Sequence, residues 1–239
     1  MKGGLQQLWV YLSTTPLLWL TITLLAYQAG DWLFRRTGAN PLCNPVLLSV
    51  ITIVGLLLVS GTDYHTYFSG AQFVHFLLGP ATVALAIPLY RQIDAIKKSL
   101  LAIIVALLTG SLTAAASAVG IAWALGGSGP LLLSLAPKSV TSPIAMGIAE
   151  QIGGLPSLTA AMVVLTGIFG ATFGPWLLDR LRVSDQMARG IAMGVAAHGI
   201  GTARMIHLNP VAGAFAGLAM GLNGLATAIL LPALVGLFR

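Results

Sequence analysis

Charge is scarce in this sequence: Asp, Glu, Lys and Arg make up 8% of its 239 residues, where a soluble domain carries about 25%. With 57% hydrophobic residues and a mean hydropathy of +0.92, that scarcity excludes a soluble globule and marks an integral membrane protein. Cysteine is scarcer still. Cys43 stands alone, so there is no disulfide framework and no cysteine-based metal site. Catalytic signatures are missing as well: no HExxH, no P-loop, no GxSxG elbow and no paired carboxylates. A Ser139–Lys138 dyad can be drawn, but adjacent residues usually point apart, so the expectation is a non-enzyme with no metal and no cofactor. No small-residue cleavage site follows the first apolar run, which extends from about Leu8 to Asp31, Arg35 and Arg36. It reads as a retained span rather than a signal peptide.

What the sequence has in plenty is apolar runs and 28 glycines, which suit close helix–helix packing in a membrane. A formal charge of +6 would suit nucleic acid, but the basic residues sit in short loops between apolar runs, which argues against it. A crossing needs about 20 apolar residues. The runs that qualify are 8–33, a shorter 45–60, 71–90 with interruptions at Gly79-Pro80 and Pro88, 100–125, 156–178, 188–206 interrupted at His198–Gly201, and 211–238. Residues 61–70 read as a loop, and Gly213, Gly217 and Gly221 as a packing face of the last span. The fold expected is all-α, with about seven transmembrane helices in one polytopic domain.

One segment breaks the pattern. Residues 131–154, LLLSLAPKSVTSPIAMGIAEQIGG, hold Lys138, Glu150, three hydroxyls and two prolines in an otherwise apolar chain. Pro137 and Pro143 forbid a straight helix. Backbone freed at membrane depth survives only where protein or water surrounds it. The segment therefore reads as a re-entrant broken-helix hairpin at the heart of a substrate site. With Arg35 and Arg36 placed in the cytoplasm and this hairpin returning to the outside, nine of the twelve basic residues fall inside. The N-terminus is then outside and the C-terminus cytoplasmic. Spans two to four (44–125) and the last three (156–239) run in opposite senses around broken middle spans carrying His75 and His198, a weak inverted repeat that leaves 1–36 as a separate first span.

Lys138 and Arg204 are the cations no loop explains, and intramembrane charges usually serve function. Near half-helix N-termini they suit a small carboxylate, the alternative being snorkelling or pairing with Glu150. Ser139, Thr141, Ser142 and Thr202 can add hydroxyls, or simply satisfy carbonyls freed by the breaks. Glu150 is either a proton carrier or an ion-pair partner of Lys138. His198 and, more weakly, His75 are proton-coupling candidates, with a satisfied core histidine as the alternative.

The stretches NPVLLSV (44–50), YFSGAQFVHFLLGPATVALAIPLYRQ (67–92), LAPKSVTSPIAMGIAEQIGG (135–154), LTGIFGATFGP (165–175) and AHGIGTARMI (197–206) resemble the LrgB/CidB family over nearly the whole chain. The resemblance implies a bacterial cytoplasmic-membrane location, a homo- or hetero-oligomer and a small LrgA/CidA-type membrane partner. It also implies one of two activities. One is transport of small carboxylates: glycolate and glycerate in a plant plastid relative, pyruvate in bacterial pairs. The other is antiholin- or holin-like control of murein hydrolases and lysis. A broken hairpin and buried cations favour transport, because a lysis pore needs neither.

Overall fold

The computed structural model describes residues 15–38, 43–77, 80, 83, 84, 87 and 90–237, with His75 described by its backbone alone. The side chain of His75, the expected interruption at Gly79, and Lys2 and Arg239 lie outside the described residues. All regular structure among those described is helical. The elements are α1 (Pro16–Arg36), α2 (Pro45–Ser60), α3 (Tyr64–Phe76), α4 (Ile93–Lys98), α5 (Leu100–Ala124), α6 (Gly129–Leu135), α7 (Ser142–Ile152), α8 (Pro156–Arg180), α9 (Gln186–Leu208) and α10 (Pro210–Leu237). Four of them, α1, α5, α8 and α10, are long and apolar enough to cross a membrane, and α2 is a shorter apolar helix. Prolines open α1, α2, α8 and α10, where a missing N–H is harmless.

The chain gathers into two compact units, Met1–Ala84 and Leu85–Arg239, whose boundary lies inside the stretch 44–125. In the first unit α1 packs antiparallel to both neighbours. Its Gly30 meets Pro45 and Leu48 of α2, while Gly70 of α3 sits against Pro16 and the fully buried Trp19. Residues 61–70 are not the loop expected. Gly61 ends α2 at φ 63° and Asp63 takes the His65 N–H at 2.7 Å, so α3 starts at once.

The second unit holds two helical hairpins rather than one. The first is the expected broken segment. Helix α6 ends at Leu135, the chain tightens through Lys138 N–H to Leu135 O and Val140 N–H to Pro137 O, and α7 restarts at Ser142. It then returns: the Leu155 N–H donates to Ser134 Oγ at 2.7 Å, and Thr159 Oγ1 donates to the Ser134 carbonyl at 3.0 Å. At 1.5 Å per residue α6 and α7 span roughly 10 and 16 Å, too short to cross a hydrocarbon core of about 30 Å.

The second hairpin is α9 itself, expected to be an interrupted crossing. His198 has φ 40° and ψ −131°, and there the chain doubles back. A Cβ built on Gly201 would lie 2.8 Å from the Met193 carbonyl oxygen and 2.6 Å from the Ala197 Cβ, although eight residues of continuous helix would hold 193 and 201 about 12 Å apart. Packing on α10 confirms the reversal. In the first arm (186–197), Gly190 meets Ala212 and Gly194 meets Ala216, numbers rising together, so the arm runs parallel to α10. In the second (199–208), Thr202 meets Met220 and Ile206 meets Gly213, so that arm runs antiparallel. Helix α9 therefore enters and leaves at one end of the unit, beside the Arg189–Asp179 pair. Helix α10 starts from that end and finishes beside α6, where Leu234 and Val235 share a groove with Gly129 and Leu132. The expected sixth crossing is absent, and the last helix ends opposite the basic loop at Arg180 and Arg182 rather than beside it.

The glycines that bring helices together include only part of the set expected. Gly213 does pack on Ile206, but Gly221 faces nothing within 4 Å. The close approaches are made by Gly167, Gly170 and Gly174 of α8 and by Gly190 and Gly194 of α9, each meeting backbone or side-chain atoms of a neighbouring segment.

Candidate functional site

Both hairpins end midway along their neighbours. The tip of the first, Pro137–Val140, bounds a cavity of about 10 Å³ with Ser111 and Ala115, which sit at the middle of α5, and Thr227 of α10. That is room for about one water molecule. The tip of the second, His198, lies on α8 at mid-length: its Nε2–H donates to the Val163 carbonyl at 2.9 Å, and its ring packs on Gly167, where any Cβ would clash. Short segments meeting at mid-depth leave backbone groups without helical partners, and in lipid such groups survive only inside protein.

Six expected site residues gather at or beside these tips. Lys138, half-buried, donates from Nζ to Ser139 Oγ at 3.2 Å, and Ser139 is 6% exposed. The His198 ring, at the other tip, is 4% exposed. Thr202, one turn along the second arm, is buried and donates to Met220 Sδ. Thr141 and Ser142 begin α7 half-buried, and Thr141 makes no side-chain cap, so the first N–H groups of α7 face the tip uncapped by it.

Two others stand apart. Arg204 is half-buried nearly two turns further along the second arm, roughly 9 Å from His198 at 1.5 Å per residue. Glu150 is exposed on α7, about 12 Å of helix from Ser142, and is not paired with Lys138.

Sequence reasoning missed Asn223. This residue, 1% exposed at the middle of α10, reaches from Nδ2 to the Ser139 carbonyl at 3.3 Å and to the Val195 carbonyl at 3.4 Å. Val195 lies in the turn that leads into the reversal at His198, so Asn223 ties that turn to the tip of the first hairpin. One turn on, Thr227 Oγ1 pairs with Ser111 Oγ at 3.1 Å. The signal was present: a lone amide in an apolar run of some 28 residues is costly in lipid and calls for a partner.

Residues 23–237 match the model of the LrgB-like family. The chain is 37% identical over 217 residues to the uncharacterized protein YwbG of Bacillus subtilis (strain 168), covering 90% of this chain and 96% of that one. It is 36% identical to the uncharacterized protein YxaC of the same organism, covering 92% and 95%. It is 32% identical to the antiholin-like protein LrgB of Bacillus mycoides (strain KBAB4), covering 92% and 96%. No solved structure matches.

Proposed function

Because the chain belongs to the LrgB-like family, we propose that it is the membrane transport subunit of a carrier for small monocarboxylates of the pyruvate or glycolate type, working with an LrgA/CidA-type partner. The observation that carries this reading is the meeting of two hairpin tips at mid-depth, one bearing Lys138 and Ser139 and the other His198, joined through Asn223. Carriers place their sites where interrupted helices end near the midplane. Lys138 supplies the charge for a carboxylate, and the hydroxyls of Ser139, Thr141 and Ser142 and the start of α7 supply donors. Thr202 lines the opposing tip, and His198 is the proton-coupling residue nearest the charge. Arg204 serves as a secondary cation on the route along the second arm; Glu150, on the outer face of α7, serves the entrance.

Placing the basic loops in the cytoplasm sets the orientation. The hairpin α6–α7 then opens outward, α9 opens inward, and the last residues of α10 lie outside. The internal symmetry is better drawn as α5 with the first hairpin, inverted onto α8 with the second, than as 44–125 on 156–239.

The test is uptake of radiolabelled pyruvate and glycolate into proteoliposomes with and without the partner. Saturable uptake competed by other short monocarboxylates is expected, and Lys138→Ala abolishes it at normal expression; normal uptake in that variant overturns the site. A second reading, an antiholin-like regulator of murein hydrolases and lysis, is favoured by the name of the Bacillus mycoides relative. Uptake of no small acid by folded protein selects it.

A further inference from the structure

Asn223 stands out among the buried polar groups because it serves two separate breaks at once. Its Nδ2 holds the carbonyl at the first hairpin's tip (Ser139) and a carbonyl three residues before the second hairpin's reversal (Val195). Both bonds are longer than the usual 2.9–3.0 Å for N–H···O. On the other side of the amide, Oδ1 is buried with no partner among the described residues. A buried acceptor left unpaired is unfavourable, and two long bonds do little to offset it. Such a group fixes an arrangement while leaving it easy to release. The rest of α10 supports that role. Met220 receives Thr202 of the second hairpin's outgoing arm, and Thr227 holds Ser111 of α5, so the face of α10 on either side of Asn223 is anchored to neighbours.

We infer that Asn223 is a positioning residue that latches the two hairpin tips to each other through one amide, so that the Ser139 tip and the arm leading into the His198 reversal stay together only while it is engaged. The inference rests on the carrier reading for its purpose but not for its test. Releasing the amide parts both tips together. A residue with a purely local packing role loosens at most the segment it touches.

Cysteine accessibility tests this on the full chain reconstituted in vesicles. In a Cys43→Ser background, single cysteines at Ser142 (first hairpin) and Ile200 (second hairpin) are labelled with a membrane-impermeant maleimide from either side. Losing two weak bonds of this kind shifts an opening equilibrium by about fivefold, so Asn223→Ala speeds labelling at both positions by about that factor. Asn223→Ser, which keeps one donor, gives a smaller rise at both. Gly221→Ala, on the same helix with open space before it, changes neither. Unchanged labelling in a monodisperse Asn223→Ala protein, or a rise at one tip alone, overturns the latch. Should Asn223→Ala aggregate, Asn223→Ser decides on the same two outcomes. Failure of uptake in the parent protein removes the carrier reading and leaves this result standing.

Discussion

The two hairpins of the second unit reverse the chain at similar depth by different chemistry. The first relies on proline. Residues 136–140 tighten into short turns, Pro143 restarts the helix in its first turn, and no residue there takes a positive φ. The second contains no proline and turns on one residue. His198 bears φ 40°, a region an L side chain rarely occupies, at a cost of about 1–3 kcal/mol. A reversal spread over six residues leaves room for Lys138 and Ser139 to carry chemistry. A reversal at one residue brings its arms so close that the packing around them must be glycine.

That contrast predicts unequal tolerance. The largest effect is expected at Gly194→Leu, whose side chain would start inside the Ala216 carbonyl. A loss above about 3 kcal/mol, seen as aggregation or collapse of the melting transition in detergent, follows from overpacking with no room to shift. A well-folded Gly194→Leu protein would mean that the arm does not lie on α10. Next comes the reversal itself. His198→Ala and His198→Gly both lose the bond to Val163, but only glycine relieves the backbone, so the glycine variant melts higher by about 1–2 kcal/mol. Equal melting would remove the strain from the account. The smallest effect is expected at Pro143→Ala in the other hairpin, below about 1 kcal/mol, because proline at a helix start chiefly restricts the unfolded chain. A larger loss would show that the first tip also hangs on a single residue.

Most element ends were legible because prolines, glycines and charges bound the apolar runs. The ranges 45–60 and 100–125 fall within a residue of α2 and α5, and Pro156 opens α8. The first hairpin was legible for the same reason, since two prolines cannot be mistaken for a straight span. The second was not. Its 23 residues have the length of a crossing, and what decides against one is the backbone of His198, signalled only by the glycines in HGIG and by Gly190 and Gly194. Asn223 was passed over because partners distant in sequence define it: residues 84 and 28 positions away meet only after both reversals have formed. Glu150 is the opposite case, a charge inside the broken segment that the helix leaves exposed and apart from Lys138.

The meeting of two short hairpins halfway along α5, α8 and α10 also has an electrical side. An insulating layer drops its voltage mainly across its driest part. Two arms entering from opposite faces, lined by hydroxyls and a lysine, would shorten that part to the few residues between Ser139 and His198. A full membrane potential of 100 mV is worth about 2.3 kcal/mol per elementary charge, and here that energy would fall across one amide side chain. On the proposed carrier reading, a bare carboxylate passing Asn223 would feel nearly all of it, whereas a carboxylate travelling with a proton would feel none.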